Sequence, residues 1–164
     1  MSAQIKIVHI SDLHFSPGMH IDDAHSYSIE LLQGIETKLA ELGEPDLLVV
    51  SGDITDDGRN QSFLNAYQWL FGRPEIGHGE VSGLAMRPAN AIVIPGNHDA
   101  YNAGQGPILW YQQVSLKHYN TLFQDKCPET GGWCMYRWMD LEPSGVYIAY
   151  LDSSLLGDSG VPHP

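Results

Sequence analysis

Two short apolar runs constrain this chain more than any other feature in it. Asp46-Leu-Leu-Val-Val50 is apolar after its first residue, and Ala91-Ile-Val-Ile94 is apolar throughout. Both are short and rich in β-branched residues, and neither alternates with polar positions. They read as strands covered on two faces, the pattern of a parallel sheet with helices packed on it.

The segments between them agree. Gln4 to Ile10 is a further β-branched run that stops at Ser11-Asp12. From about Asp22 to Leu42, the positions Ile29, Leu32, Ile35, Leu39 and Leu42 recur at steps of three and four, and Leu31 widens the stripe. That is an amphipathic helix, stopped by Gly43 and barred from continuing by Pro45. Asn60 to Phe71 repeats the pattern, with Phe63, Leu64, Tyr67, Leu70 and Phe71 on one side. Gly72 to Pro88 is rich in glycine and proline and reads as a loop. Its Gly77 to Pro88 part could close over a site, though plain surface is the simpler reading. A weaker helical stretch from Ile108 to Phe123, an edge strand from Cys134 to Leu141 and a strand from Gly145 to Leu151 complete the order. Strands alternating with helices over 164 residues argue one α/β domain, residues 1–164.

Charge narrows the function. Eight Lys and Arg against twenty Asp and Glu leave a net −12. Such a surface repels phosphate backbones and anionic bilayers, which argues against nucleic-acid and membrane partners. An anionic substrate would then need something other than basic side chains to attract it, and a bound cation does that. Cys127 and Cys134 are too few for a disulfide framework and lack CxxC spacing. No apolar run near the start reads as a signal-peptide core or a membrane span, so the expected location is the cytoplasm.

Three strands each end in a polar cluster: Asp12 with His14, Asp53, and Asn97-His98-Asp99. In open α/β sheets the carboxyl ends of strands line one crevice, where ligands bind. Asp12 and His14 lie at i and i+2, which in an extended segment project to the same side. Asp53 adds a carboxylate able to bridge two ions, and Asn97 adds a carbonyl oxygen. Mixed nitrogen and oxygen donors suit Mn, Fe or Zn. They are also the parts of a two-metal site, with ions ~3.5–4 Å apart, that activates water and stabilises phosphoryl oxygens. Singly, each cluster has an ordinary explanation: Gly52-Asp53 and Gly96-Asn97 are good turn dipeptides, and a lone Asp-x-His is usually surface. Three such clusters, each at a strand end, are harder to explain as turns.

His9-Ile-Ser-Asp12-Leu-His14, Ser51-Gly52-Asp53 and Gly96-Asn97-His98-Asp99 resemble the first three signature blocks of the calcineurin-like metallophosphoesterase superfamily. Glu44 to Asp56 is similar to that family over its whole length, and within the family the chain most resembles the bacterial cyclic-nucleotide-phosphodiesterase-like branch. The resemblance extends from Ile5 to about Ser153. It implies a β-sandwich flanked by helices, with Asp12 and His14 on a first ion, Asp53 bridging two and Asn97 on the second. It also implies His98 as the catalytic histidine and Asp99 as the group that orients its imidazole. The implied reaction is hydrolysis of a small phosphoester, a phosphodiester such as a cyclic nucleotide, by a metal-activated hydroxide.

Two later blocks of the family pattern, an isolated His and a Gly-His-x-His element, are missing. Past Asp152 twelve residues remain, and the one histidine among them, His163, lies between prolines and reads as tail. His20, His25, His78 and His118 read as facing solvent, and His9 as a core histidine bonded to a neighbour. The first ion therefore keeps Asp12, His14 and Asp53, while the second keeps Asp53 and Asn97. Two divalent ions are the ideal and a single ion is the simpler expectation. The C-terminal half of the fold is expected to be missing. One sheet face and the Asp46–Val50 strand would then need cover from a second copy in a homo-oligomer or from the rest of a longer protein. The alternative to an enzyme is a catalytically impaired metal-binding or interaction remnant of the same fold. A third reading, an α/β domain without metal, leaves the three clusters unexplained. Trp133, Tyr136 and Trp138 read as packing rather than as a base-stacking wall.

Overall fold

The computed structural model describes residues 4–16, 26–72, 81–87, 90–100, 117–123, 136–141 and 146–151. Its elements run β1 (Ile7–Ile10), α1 (Ser26–Leu42), β2 (Leu47–Ser51), α2 (Asn60–Phe71), β3 (Ala91–Ile94), α3 (Asn97–Ala100), β4 (Tyr136–Leu141) and β5 (Val146–Leu151). A further helical segment covers residues 117–123. β1, β2 and β3 form a parallel sheet in that order, and β4 and β5 form an antiparallel pair. The chain is therefore α/β, with a parallel sheet flanked by helices.

The apolar runs of β2 and β3 explain the two faces. Register sets Leu48 beside Ala91 and Val50 beside Val93. On that face they join Phe15, Leu32, Phe63, Trp69, Tyr119 and Phe123 in the main core. The alternate residues Leu47, Ile92 and Ile94 form a second core with Val49 and with Ile148 of β5. This corrects the expectation that the Asp46–Val50 strand lacks cover: Leu47, Leu48 and Val50 are at most 1% exposed. β1 differs from its neighbours, with an exposed and half-buried alternation and Ile7 at 41% exposure. Among the described residues it pairs only with β2; Val8 and Ile10 pack against the core while Ile7 and His9 face water. There His9 Nε2 lies 2.5 Å from Ser51 Oγ, bonded to a neighbour as expected but exposed rather than in the core.

α1 ends as the sequence predicts, with Gly43 at φ +75° and Lys6 Nζ donating to Leu42 O at 2.7 Å. That cation satisfies a carbonyl the helix itself leaves open. α2 has the predicted bounds, but of the predicted face only Phe63 and Leu70 are buried, joined by Ala66 and Trp69, while Leu64, Tyr67 and Phe71 are half-buried. Trp69 Nε1 donates to Glu36 Oε1 at 2.8 Å, and Glu36 also accepts from the backbone of Ser82 (3.1 Å) and Gly83 (2.7 Å). Residues 81–87 are therefore not a free surface loop. Val81 and Met86 are buried, and Leu84 and Met86 donate to Trp69 O and Leu70 O.

The predicted helix from Ile108 is seen at 117–123, and its earlier part lies outside the described residues. So do His20, His25, His78, His163, Cys127, Cys134 and Trp133. No helix of the described residues is long and apolar enough to cross a membrane.

Candidate metal centre

Parallel pairing brings the carboxyl ends of β1, β2 and β3 to one edge, and the loops beyond continue the pairing. Asp12 N donates to Gly52 O (3.2 Å), His14 N to Asp53 O (3.0 Å), Phe15 N to Ile54 O (2.9 Å) and Asp56 N to Phe15 O (2.9 Å). Gly52 N in turn donates to Ile94 O at 2.9 Å. Leu13 and Phe15 are buried at 1% and 0% exposure and anchor the first loop from within. Asp12 and His14 alternate with them on the more open side.

The backbone at these positions is strained. Asp12, His14 and Asp53 have φ of +56°, +46° and +45°. A side chain held there costs on the order of 1–3 kcal/mol, a cost that persists where the surroundings impose it and that clusters at functional sites. Asp and His tolerate this left-handed region better than most residues. Residues 12 and 14 thus share a side, as the sequence predicts, though both are left-handed rather than extended.

Three candidate ligand groups meet as a result. Asp12, His14 and Asp53 each offer an atom within 4.8 Å of the others. Asn97 stands beside them in sequence position, exposed, at the head of α3. Asp53 Oδ1 accepts from His98 N at 3.0 Å, which ties the β2 loop to α3. Gly96 makes that approach possible, because a Cβ there would lie 2.2 Å from Asp53 N and 2.3 Å from Asp53 Oδ1.

The family model for calcineurin-like phosphoesterases matches residues 5–155, a span that includes all three strand-end clusters. The chain belongs to the calcineurin-like phosphoesterase family. Among curated proteins, no match was found. Membership makes the coarse chemistry metal-dependent hydrolysis of a phosphoester.

The donors of this calcineurin-like phosphoesterase fit a divalent ion. Two carboxylates and an imidazole supply hard and borderline ligands together. One imidazole nitrogen, His14 Nδ1, is buried without a hydrogen-bond partner among the described residues. A buried nitrogen left so is rare in folded proteins.

His98 completes the cluster. Its ring meets His14 edge-on at 4.9 Å between centroids, and its Nδ1 lies 3.1 Å from Asp56 O. The sequence reading passes over Asp56, whose carboxylate Oδ1 is 3.6 Å from His14 Nδ1 and 3.8 Å from His98 Nδ1. The available signal was its place three residues after Asp53, in the turn that follows β2.

Asp99 is placed differently from its expected role. Its carboxylate accepts from Ile54 N (3.0 Å), Thr55 N (2.7 Å), Thr55 Oγ1 (2.8 Å) and Gly96 N (2.8 Å). Those four donors use both oxygens, while the described atom bonded to His98 Nδ1 is a carbonyl of the neighbouring loop. Asp99 therefore clasps the β2 loop to the β3 loop and does not orient the His98 ring. Burial pushes its carboxyl up to about 6, against hydrogen bonds that pull it down.

Proposed function

We propose that the chain hydrolyses small phosphodiesters, cyclic nucleotides among them, with a divalent ion held by Asp12, His14 and Asp53. The observation that carries this reading is the meeting of those three groups within 4.8 Å on left-handed backbone. Mn²⁺, Fe²⁺ or Zn²⁺ bound there would polarise a phosphoryl oxygen and lower the pKa of a water. Asn97 adds a neutral amide to the same strand end that would bind a second ion or a phosphoryl oxygen.

His98 handles the proton. A carbonyl oxygen can only accept, so Nδ1 facing Asp56 O carries the hydrogen. Nε2 is then the atom that exchanges a proton, and in the cationic ring it protonates the leaving alkoxide. The diester preference is supported by charge: a diester carries one negative charge and a monoester about two, and the protein carries −12. Two cysteines without a framework suit a reducing compartment, and the reading places the enzyme in the cytoplasm.

The test compares a chromogenic diester, its monoester and a cyclic nucleotide in the presence of Mn²⁺. Both diesters should turn over faster than the monoester, and the reverse order would overturn the diester assignment. His98→Ala should slow a diester with an alkoxide leaving group by ~10²–10⁴-fold. It should slow one with a nitrophenolate leaving group less, because that group departs without a proton. Equal losses would remove His98 from proton transfer.

A further inference from the structure

The geometry points to a second metal site, which nothing above assigns: we infer that His14, Asp56 and His98 form a three-ligand site for Zn²⁺ or Co²⁺ that competes with the Asp12–His14–Asp53 site. The three side chains each present an atom within 4.8 Å of the others. Asp56 Oδ1 lies 3.6 Å from His14 Nδ1 and 3.8 Å from His98 Nδ1. Both separations are too long for hydrogen bonds. They match two ligands of one ion: tetrahedral zinc with bonds of ~2.0–2.1 Å sets its ligands ~3.3–3.4 Å apart, within about half an ångström of those seen.

Two further observations bear on ligation. His14 Nδ1 is buried and has no hydrogen-bond partner among the described residues, so an ion bound there would supply the contact it lacks. The donor set, two imidazoles and one carboxylate, is of the kind borderline ions select, whereas the carboxylate-rich Asp12–His14–Asp53 set suits Mn²⁺. Water can take the fourth position.

The two sites share His14. A neutral imidazole has one lone pair for a metal and a hydrogen on its other nitrogen, so His14 serves one ion at a time. Binding at His98 Nδ1 also displaces the hydrogen that this nitrogen shares with Asp56 O, moving it to Nε2. The binding rests on geometry alone. Its consequence, that an ion held here takes His14 from the Asp12–His14–Asp53 site and lowers hydrolysis, rests on the function proposed above.

The test is Co²⁺ titration of the purified chain, read by the intense visible absorption of a four-coordinate ion. Wild type should show that band. Asp56→Asn and, separately, His98→Gln should weaken Co²⁺ binding at least about tenfold, and Asp12→Asn should leave the band intact. A band that follows Asp12 and ignores Asp56 and His98, or no four-coordinate band in folded wild type, would overturn the inference. Because the readout is binding, failure of Mn²⁺-supported hydrolysis would count against the proposed function and leave this site standing.

Discussion

A methyl group on Gly96 would sit 2.2 Å from Asp53 N and 2.9 Å from Gly52 Cα, so the β2 and β3 loops touch where one added carbon forces them apart. Overpacking of this kind costs ~1–3 kcal/mol. Gly96→Ala should lower the melting temperature accordingly and weaken Mn²⁺ binding, since Asp53 is the group displaced. Asp99→Asn acts on the same junction from below. An amide cannot accept four hydrogen bonds as the carboxylate does, and losing an acceptor for buried donors costs ~1–3 kcal/mol, readable by denaturant unfolding. The Asp99 carboxyl is raised from 3.8 to about 6, so it binds its proton more tightly folded than unfolded. Its contribution is fully present below about 3.8 and is lost as pH rises through about 6. The stability gap between wild type and Asp99→Asn should therefore narrow from pH 4 to pH 7. The strand-end placement of Asp12, His14, Asp53 and His98 was legible in the sequence because residue type and strand-end position are local facts. The task of Asp99 was not, because it depends on which backbone N–H groups of another loop come within reach.

Among the elements, the bounds of α2 and β3 were readable because each is a periodic or apolar run between turn signals. The 81–87 segment was readable as a loop but not as a packed one. Its glycines suggest a loop, and part of what holds it down is a carboxylate on α1, Glu36, shared by Trp69 Nε1, Ser82 N and Gly83 N. Nothing in the local sequence links a helix position to a backbone more than forty residues on. Glu36→Ala should cost ~1–3 kcal/mol by leaving donors without an acceptor. It should also speed amide exchange at Ser82 and Gly83 while leaving β2 and β3 protected. Unchanged exchange there would mean that buried Val81 and Met86, with the Leu84 and Met86 backbone bonds to α2, anchor the segment without Glu36. The exposure of β1 was not readable either, for a related reason. A β-branched run shows that a strand forms, but its place at the edge of a sheet is decided by pairing.

For the molecule as a whole, the acidic balance and the metal centre belong together. A chain at −12 repels a phosphoester until a cation stands at the strand ends. An ion bound to the folded state alone also stabilises it, by ~2.7 kcal/mol at a hundred times its Kd. Mn²⁺ should therefore raise the melting temperature and a chelator should reverse the rise. The most direct measurement is Mn²⁺-dependent hydrolysis of a chromogenic phosphodiester by the wild-type chain and by Asp53→Asn, with both shown to be folded by circular dichroism. Turnover that requires Mn²⁺ and vanishes in Asp53→Asn is the predicted result. Turnover that survives the substitution, or none from folded wild type, would contradict the assignment of a hydrolytic metal centre to these three strand ends.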